Sequence, residues 1–567
     1  MRSHRRAAAV GVVLLLGGLT ACAQELPATV VPDTKVTVGW SGELTSMNAL
    51  AAPTPGNLDI AAATRSGFGD TVDGTFVPDE SFGRVTIVSD DPFTVRYDLA
   101  EPAWSDGIPL DAADLMLGWA ATAGYFAEDE SADAGAAEPD DVPVVSTVDE
   151  FARAIEVTFP HPTITWQRAV TVPVPAHVVG KRALGLDDAM EAKQAVIRAI
   201  HEEDASALAA IAAVWHTAFD VTEKTDVPAD LLVSSGPFEV EGSTRSADGQ
   251  SVTLVPNPSY RGAVSPQVAR IDLVPPGDDP VTAIGDLVDV VRVAPNSANR
   301  AAIRELERRD FTVQTTHDGG VWAVLLDPAG VFAQPAARTA FLRMVPAREL
   351  VEAAAGEWSS AYAATASMVS APGSPAYEVV TEDSGFATSL GAPSEDPPSE
   401  REAAGVAPGT PVCVLYDRGN EFAVGAFTAL RSAAGPAGWN VADCGSDDVG
   451  AAIGQRGWDA AIMRLPIPQT PAEIVAQWGS GGEASLMPQI DANRDALIAQ
   501  LAQTVDVYEA REVLAQIEAT IVQAAVARPL AVSPQVTIID RNVAGVTARS
   551  GPVAPVMYGV AQWTAVP

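Results

Sequence analysis

Phe93, Val95, Tyr97 and Leu99 alternate with Thr94, Arg96 and Asp98, the period-2 pattern of a half-buried strand. A turn cluster follows, Trp104-Ser105-Asp106-Gly107, in which Gly107 supplies the positive φ that its neighbours tolerate poorly. Asp111 then stands as a helix N-cap, with Asp114 three residues on and Leu115, Met116 and Trp119 opening an apolar face. Elsewhere Val36–Trp40 and Ile271–Val274 read as strands, and residues 187–219 as a helical stretch. Residues 411–445 read as a βαβ unit, with strand Val412–Tyr416, helix Phe422–Ala434 and strand Trp439–Ala442. Two helices, 492–503 and 507–526, end the pattern; the second puts Leu514, Ile517 and Ile521 on one face, and Pro529–Val532 returns as a strand. Residues 128–141 are acidic without apolar period and read as a surface loop. The mixture is α/β, no short repeat appears, and 567 residues require two or more lobes with separate cores.

The N-terminus is of another kind. Arg2, Arg5 and Arg6 precede an apolar run, residues 7–19, too short to span a bilayer. Leu19-Thr20-Ala21-Cys22 resembles a bacterial lipobox, so residues 1–21 read as a lipoprotein signal and Cys22 as the lipidated residue. Two acyl chains anchor stably where one is marginal. A tether, 22–35, containing Pro27 and Pro32, leads into the fold.

Charge narrows the functions. The formal net charge is −38, and the only lysines are Lys35, Lys181, Lys193 and Lys224. Such a chain is repelled by phosphate backbones, which excludes nucleic-acid binding. The histidines past the leader (His161, His177, His201, His216, His317) form no metal-ligand spacing, so no metal is expected. No G-x-S-x-G elbow, Ser-x-x-Lys, Walker A or dinucleotide fingerprint occurs, so neither a catalytic residue nor a cofactor is expected. Cys413 and Cys444 remain, in a chain marked for export, where oxidation is permitted. A bridge between them would close a loop worth about 3–4 kcal/mol. Against it, one cysteine starts a predicted strand and the other ends the next parallel one, so pairing stays open.

The order strand, WSDG turn, proline, capped helix resembles the large extracytoplasmic solute-binding proteins (family 5) of the oligopeptide/dipeptide type, which serve ABC importers. Trp104, Ser105, Asp106, Gly107 and Asp114 carry that resemblance, as do Gly236 and Pro237 in Ser235-Gly236-Pro237-Phe238 with the later Asn257-Pro258-Ser259-Tyr260. Pro173 to His177, Val321 to Asp327, residues 337–351 and Trp458 to Met463 follow in the family's order. Pro256, Asp327 and Pro346 depart from its usual Arg, Asn and Asp.

The resemblance implies an α/β, two-lobe periplasmic-binding-protein-like (Venus-flytrap) fold with a discontinuous lobe I and an extra subdomain. Lobe I would be 36–280, lobe II 281–523, and 524–567 the return to lobe I. It implies a monomer on the outer face of the cytoplasmic membrane, held by its lipid, that delivers an oligopeptide or other small solute to an ABC permease and its ATPase subunits. Relatives also take nickel, haem, glutathione and sugars. A surface receptor or a structural envelope lipoprotein on the same scaffold is the alternative. Trp40, Ser41, Trp322, Asp327 and Tyr416 are candidate ligand contacts near strand ends expected to face the cleft. Arg464 stands in a stretch where peptide-binding relatives carry an aspartate for the ligand's amino group, and is the candidate for an anionic group or a peptide C-terminus.

Overall fold

The computed structural model describes residues 27–72, 74–126, 143–149, 153–221, 227–455 and 457–567. Residues 1–26, with Cys22, the expected leader and the start of the expected tether, and the whole acidic stretch 128–141 lie outside them. One ten-stranded sheet runs through the molecule, in the order Trp439–Asp443, Thr410–Leu415, Ala460–Pro466, Thr312–Leu326, Ala527–Ile539, Val290–Val293, Val31–Gly39, Val268–Val274, Gly249–Pro256, Phe238–Ser246. Its two central strands, Thr312–Leu326 and Ala527–Ile539, are long and antiparallel, and they belong to both halves. Their outer stretches, Thr312–His317 and Pro534–Ile539, pair in the half that holds the opening strand. Their inner stretches, Val321–Leu325 and Ala527–Val532, pair in the other.

Between them the ladder slips. His317 pairs with Pro534 and Val321 with Val532, so Asp318, Gly319 and Gly320 stand opposite Ser533 alone. A bulge of this kind bends the strand and breaks pairing, which makes it the natural boundary between two bodies. Segment 281–311 lies before that boundary: Val290–Val293 pairs parallel with Val38 and Gly39 and antiparallel with Val536–Ile539. Val291, Ile303, Leu306 and Phe311 pack with Val536 and Ile538. The sheet thus groups 281–311 with the opening strand, where a start of lobe II at 281 was expected.

Beyond the crossing, Val321, Ala323 and Leu325 enter one apolar core while Trp322, Val324 and Leu326 enter another. Burial on both faces explains the unbroken apolar run in the sequence. The βαβ unit forms as Thr410–Leu415, helix Glu421–Ala434 and Trp439–Asp443, with parallel pairing. Cys413 and Cys444 are joined by a disulfide, their Cα atoms 5.5 Å apart. The bridge is possible because Cys413 lies mid-strand, its partner strand in register up to Asp443.

The first half carries the extra subdomain, a four-stranded antiparallel sheet in the order Gly83–Asp90, Phe93–Leu99, Ala154–Thr158, Val144–Asp149, with helices Ala112–Thr122, Ala176–Leu184, Ala189–His201 and Ala205–Thr217. Asp111 and Asp114 form a capping box. The fully buried Asp114 carboxylate also accepts from Trp104 Nε1 (3.2 Å), the Ala176 amide (2.8 Å) and Lys193 Nζ (2.9 Å). Lys193 Nζ lies 3.1 Å from Asp111 as well. Burial alone would lower the lysine's pKa; its two aspartates outweigh that and raise it.

The turn motifs interlock around this centre. His177 Nε2 lies 2.8 Å from Asp106 Oδ2, the Ser105 amide donates to Ser234 O (2.7 Å), and the Gly236 amide donates to Thr64 O (3.0 Å). Gly107 holds φ +84°. These bonds tie the WSDG turn to His177 and Ser234, and the Gly236 turn to Thr64.

Candidate ligand site at the lobe crossing

The crossing is built around the bulge. Gly319 has φ +76°, and a Cβ there would lie 2.1 Å from the Pro552 nitrogen, so only glycine fits. Its carbonyl accepts from the Ile467 amide (2.8 Å), and the Gly551 amide donates to His317 O (3.0 Å), so both halves hold the bulge. Asp318 forms an ion pair with Arg464 at 2.7 Å, the two side chains 25% and 39% exposed.

Lobe II buries a stack of three rings beside this pair, with Trp322 and Phe422 in its core and Tyr362 partly buried against them. Trp322 lies against Phe422 at 4.7 Å between ring centres, and Phe422 against Tyr362 at 4.8 Å, both nearly parallel. Burial, with the charges of Asp318 and Glu421, pushes the Tyr362 hydroxyl up to about 12. Glu421, in the first turn of its helix, accepts from the Ser297 amide (2.9 Å) and hydroxyl (2.8 Å), a link across the crossing. Trp358 Nε1 donates to Asn296 O (2.8 Å) under the Arg300 guanidinium.

On the lobe I side, Trp40 follows the opening strand and its indole N–H donates to Asp59 (2.9 Å). Burial raises the Asp59 pKa despite that bond, the Val556 amide and the charge of Arg292. Ser41 next to it is exposed.

The sequence candidates therefore separate. Trp322 and Arg464 are cross-strand neighbours at the crossing. Trp40 and Ser41 stand at the end of the first strand, beside strand Val290–Val293. Tyr416 ends strand Thr410–Leu415, buried and stacked on Phe427 at 4.3 Å. Asp327 lies at the far end: its amide donates to Asp459 O, and at ~3.3 Å per residue it is roughly 20 Å beyond the bulge. Arg464 is already paired with Asp318, so an anionic ligand group would share or displace that carboxylate. Asp318, Tyr362, Glu421 and Asp59 escaped the sequence reading. The Asp-Gly-Gly break inside a β-patterned run was the available signal for the first. Nothing local marks the others.

Among the described residues no group of three or more His, Cys, Asp and Glu could hold a metal, and no helix is long and apolar enough to cross a membrane. A solvent-contacting ion pair on a bulge between two separate cores suits a boundary at which two lobes meet a solute. This is the construction of a two-lobe binding protein.

The chain belongs to the bacterial extracellular solute-binding proteins, family 5, whose middle-region model matches residues 84–395, over half the chain. It is 27% identical over 468 residues to an uncharacterized lipoprotein of Mycobacterium tuberculosis (strain ATCC 25618 / H37Rv), covering 79% of this chain and 77% of that one. Its fold is similar to that of the periplasmic EDTA-binding protein EppA (TM-score 0.73, 17% identity, 96% of this chain and 98% of that one). It is also similar to the oligopeptide-binding protein AppA of Bacillus subtilis, solved with a nonapeptide (TM-score 0.60, 13% identity, 94% and 99%).

Proposed function

We propose that this chain is the lipid-anchored solute-binding component of an ABC importer, tethered through Cys22, and that it takes an oligopeptide or another small solute at the crossing. The observation that carries this reading is the pair of long strands that share the bulge at Asp318–Gly320, flanked by the Trp322–Phe422–Tyr362 stack. Family membership supports binding and delivery as the activity. The lipoprotein relative supports the anchor. The solute touches both lobes, so only the bound state gains contacts from closure, and that differential affinity is what a permease reads. Strand backbone at the bulge favours an extended ligand held with little side-chain preference.

The test is native mass spectrometry of the mature chain carrying Cys22→Ser, purified without denaturation, with released species identified. A ladder of co-purified peptides is the expected result. A single non-peptide species would replace the substrate and keep the activity. A chain that releases nothing and closes on no peptide pool would sink the importer reading in favour of a structural lipoprotein.

A further inference from the structure

A second groove straddles the two lobes away from the crossing. It has a volume of about 430 Å³ and runs between the end of helix Ala112–Thr122, the turn at 159–165, and the end of helix Ala492–Gln503. The first two belong to the extra subdomain's side of the molecule, and the last belongs to lobe II. The Ile164 amide donates to Ala502 O at 3.0 Å across the seam.

Its lining is unlike the rest of the surface. The exposed Pro160 and Pro162, with the edges of the buried Trp119 and Phe159, give it apolar walls, and among the described residues no aspartate or glutamate lines it. Arg168 is its one arginine or lysine; it is exposed, touches Thr71 Oγ1 at 3.4 Å, and has no carboxylate partner among the described residues. Helix C-termini repel anions through their free carbonyls, but here those carbonyls are taken. Trp119 O accepts from the Ala123 amide (2.8 Å) and Thr122 Oγ1 (2.9 Å), Leu501 O from the Thr504 amide (3.2 Å), and Ala502 O from Ile164.

We propose that this groove is a second ligand site, for a small amphipathic anion with a flat apolar body, of the aryl-carboxylate class. The ring lies against the aromatic and proline walls and the carboxylate meets Arg168. Charge complementarity commits the site to an anion: Arg168 is the counter-charge, a cation finds none among the described lining residues, and a neutral ring gains only the walls. The walls come from both lobes, so the occupant adds contacts that exist only while Ile164 and Ala502 stay together. It thereby favours the lobe arrangement seen here, a consequence that rests on the two-lobe reading. Binding itself does not.

Three probes that share one ring and differ in charge test it: indole-3-acetate, indole-3-acetamide and tryptamine, titrated by calorimetry into the mature chain carrying Cys22→Ser. Indole-3-acetate should bind about tenfold tighter than tryptamine, with the amide between them. Arg168→Gln, at an exposed position, should weaken the acetate about five- to tenfold and leave the amide unchanged. Ala502→Phe should fill the groove and weaken all three. Equal affinity of the three probes overturns the proposal. So does acetate binding that survives both substitutions, which would place the probe at the crossing, or no saturable acetate binding up to about 10 mM. Should Ala502→Phe unfold the chain, the Arg168→Gln comparison of acetate with amide decides alone.

Discussion

Two aspartates, each beside a cation at under 3 Å, mark two regions of this protein that behave in opposite ways. Asp114 meets Lys193 at 2.9 Å, the side chains 0% and 1% exposed. Asp318 meets Arg464 at 2.7 Å with both side chains in contact with solvent. The first pair cannot be opened without leaving a charge stranded in an apolar core, and the other groups on Asp114 (Trp104, Asp111, Ala176) fix it from three directions. The second is screened by water, sits on a bulge, and can part and re-form at small cost. Burial, more than distance, separates a fastening from a movable contact.

The largest expected effect lies at the fastening. Lys193→Met removes the counter-charge and leaves Asp114 buried with only neutral donors, which should cost about 3–5 kcal/mol in urea unfolding. A loss below about 1 kcal/mol would mean that the Asp114 site admits water, and the contrast with the crossing would collapse.

One side of each pair was legible in the sequence, Asp114 at the fastening and Arg464 at the crossing, and the partner was not, for a physical reason. Asp111, Asp114 and the WSDG turn lie within a short span, so capping and turn chemistry announce them locally. The same holds for the helix at 492–503, which forms over the residues its pattern marks, and for the βαβ unit at 410–443. The first strand begins at Val31, earlier than its apolar residues suggest, because Val31–Val268 pairing extends it through Pro32 and Asp33, at an edge of irregular register. Lys193 joins Asp114 from 79 residues away, and Tyr362 meets Phe422 and Asp318 through tertiary packing alone. Contacts of that sequence separation leave no periodic trace. Arg464 could be seen as a lone cation in a stretch without carboxylates, but its partner, on the neighbouring strand, could not.

Lobe II supplies a covalent counterpart to the buried pair. The Cys413–Cys444 bridge ties the two outermost strands of the sheet at the edge, and closes a loop with a sequence separation of 31. On chain-entropy grounds, the double substitution Cys413→Ser/Cys444→Ser should lower stability by about 3.5 kcal/mol. Thermal unfolding under non-reducing conditions measures it. An unchanged midpoint would show that the edge is held by its ladder and helix packing alone.

A third buried charge sharpens the comparison, because it titrates. Glu518, on helix Val507–Ala524, is fully buried and accepts from Ser367 Oγ (2.6 Å) and the Met368 and Val369 amides. Burial pushes its carboxyl up to about 7, against those donors and the charge of Arg494, from an ordinary 4.5. The folded state therefore holds its proton more tightly than the unfolded chain does. This contribution to stability is complete below pH ~4.5, falls as pH rises towards about 7, and is lost above it. Relative to Glu518→Gln, the native chain should lose roughly 3 kcal/mol over that window. Parallel pH profiles of the two in urea would show it; superimposable profiles would mean that Glu518 is already solvated or already ionised at low pH.

The smallest stability effect belongs to the crossing, and it is the most informative about function. Arg464→Ala should cost under about 1 kcal/mol, because the pair it breaks is screened and Asp318 keeps contact with water. If the pair is a movable contact, its loss should instead appear in the distribution of distances between spin labels on the two lobes, broader or longer than in the native chain, with unfolding almost unchanged. A loss of more than about 2 kcal/mol with an unaltered distribution would make Arg464 a fastening like Lys193. The bulge would then be a rigid joint, and closure would have to be sought in the partner strand around Ser533. Replacing Asp318 by Asn separates the two readings further. A movable contact tolerates the amide, which still accepts from Arg464 at its oxygen, whereas a fastening would lose its charge-assisted bond and repeat the loss seen with Arg464→Ala.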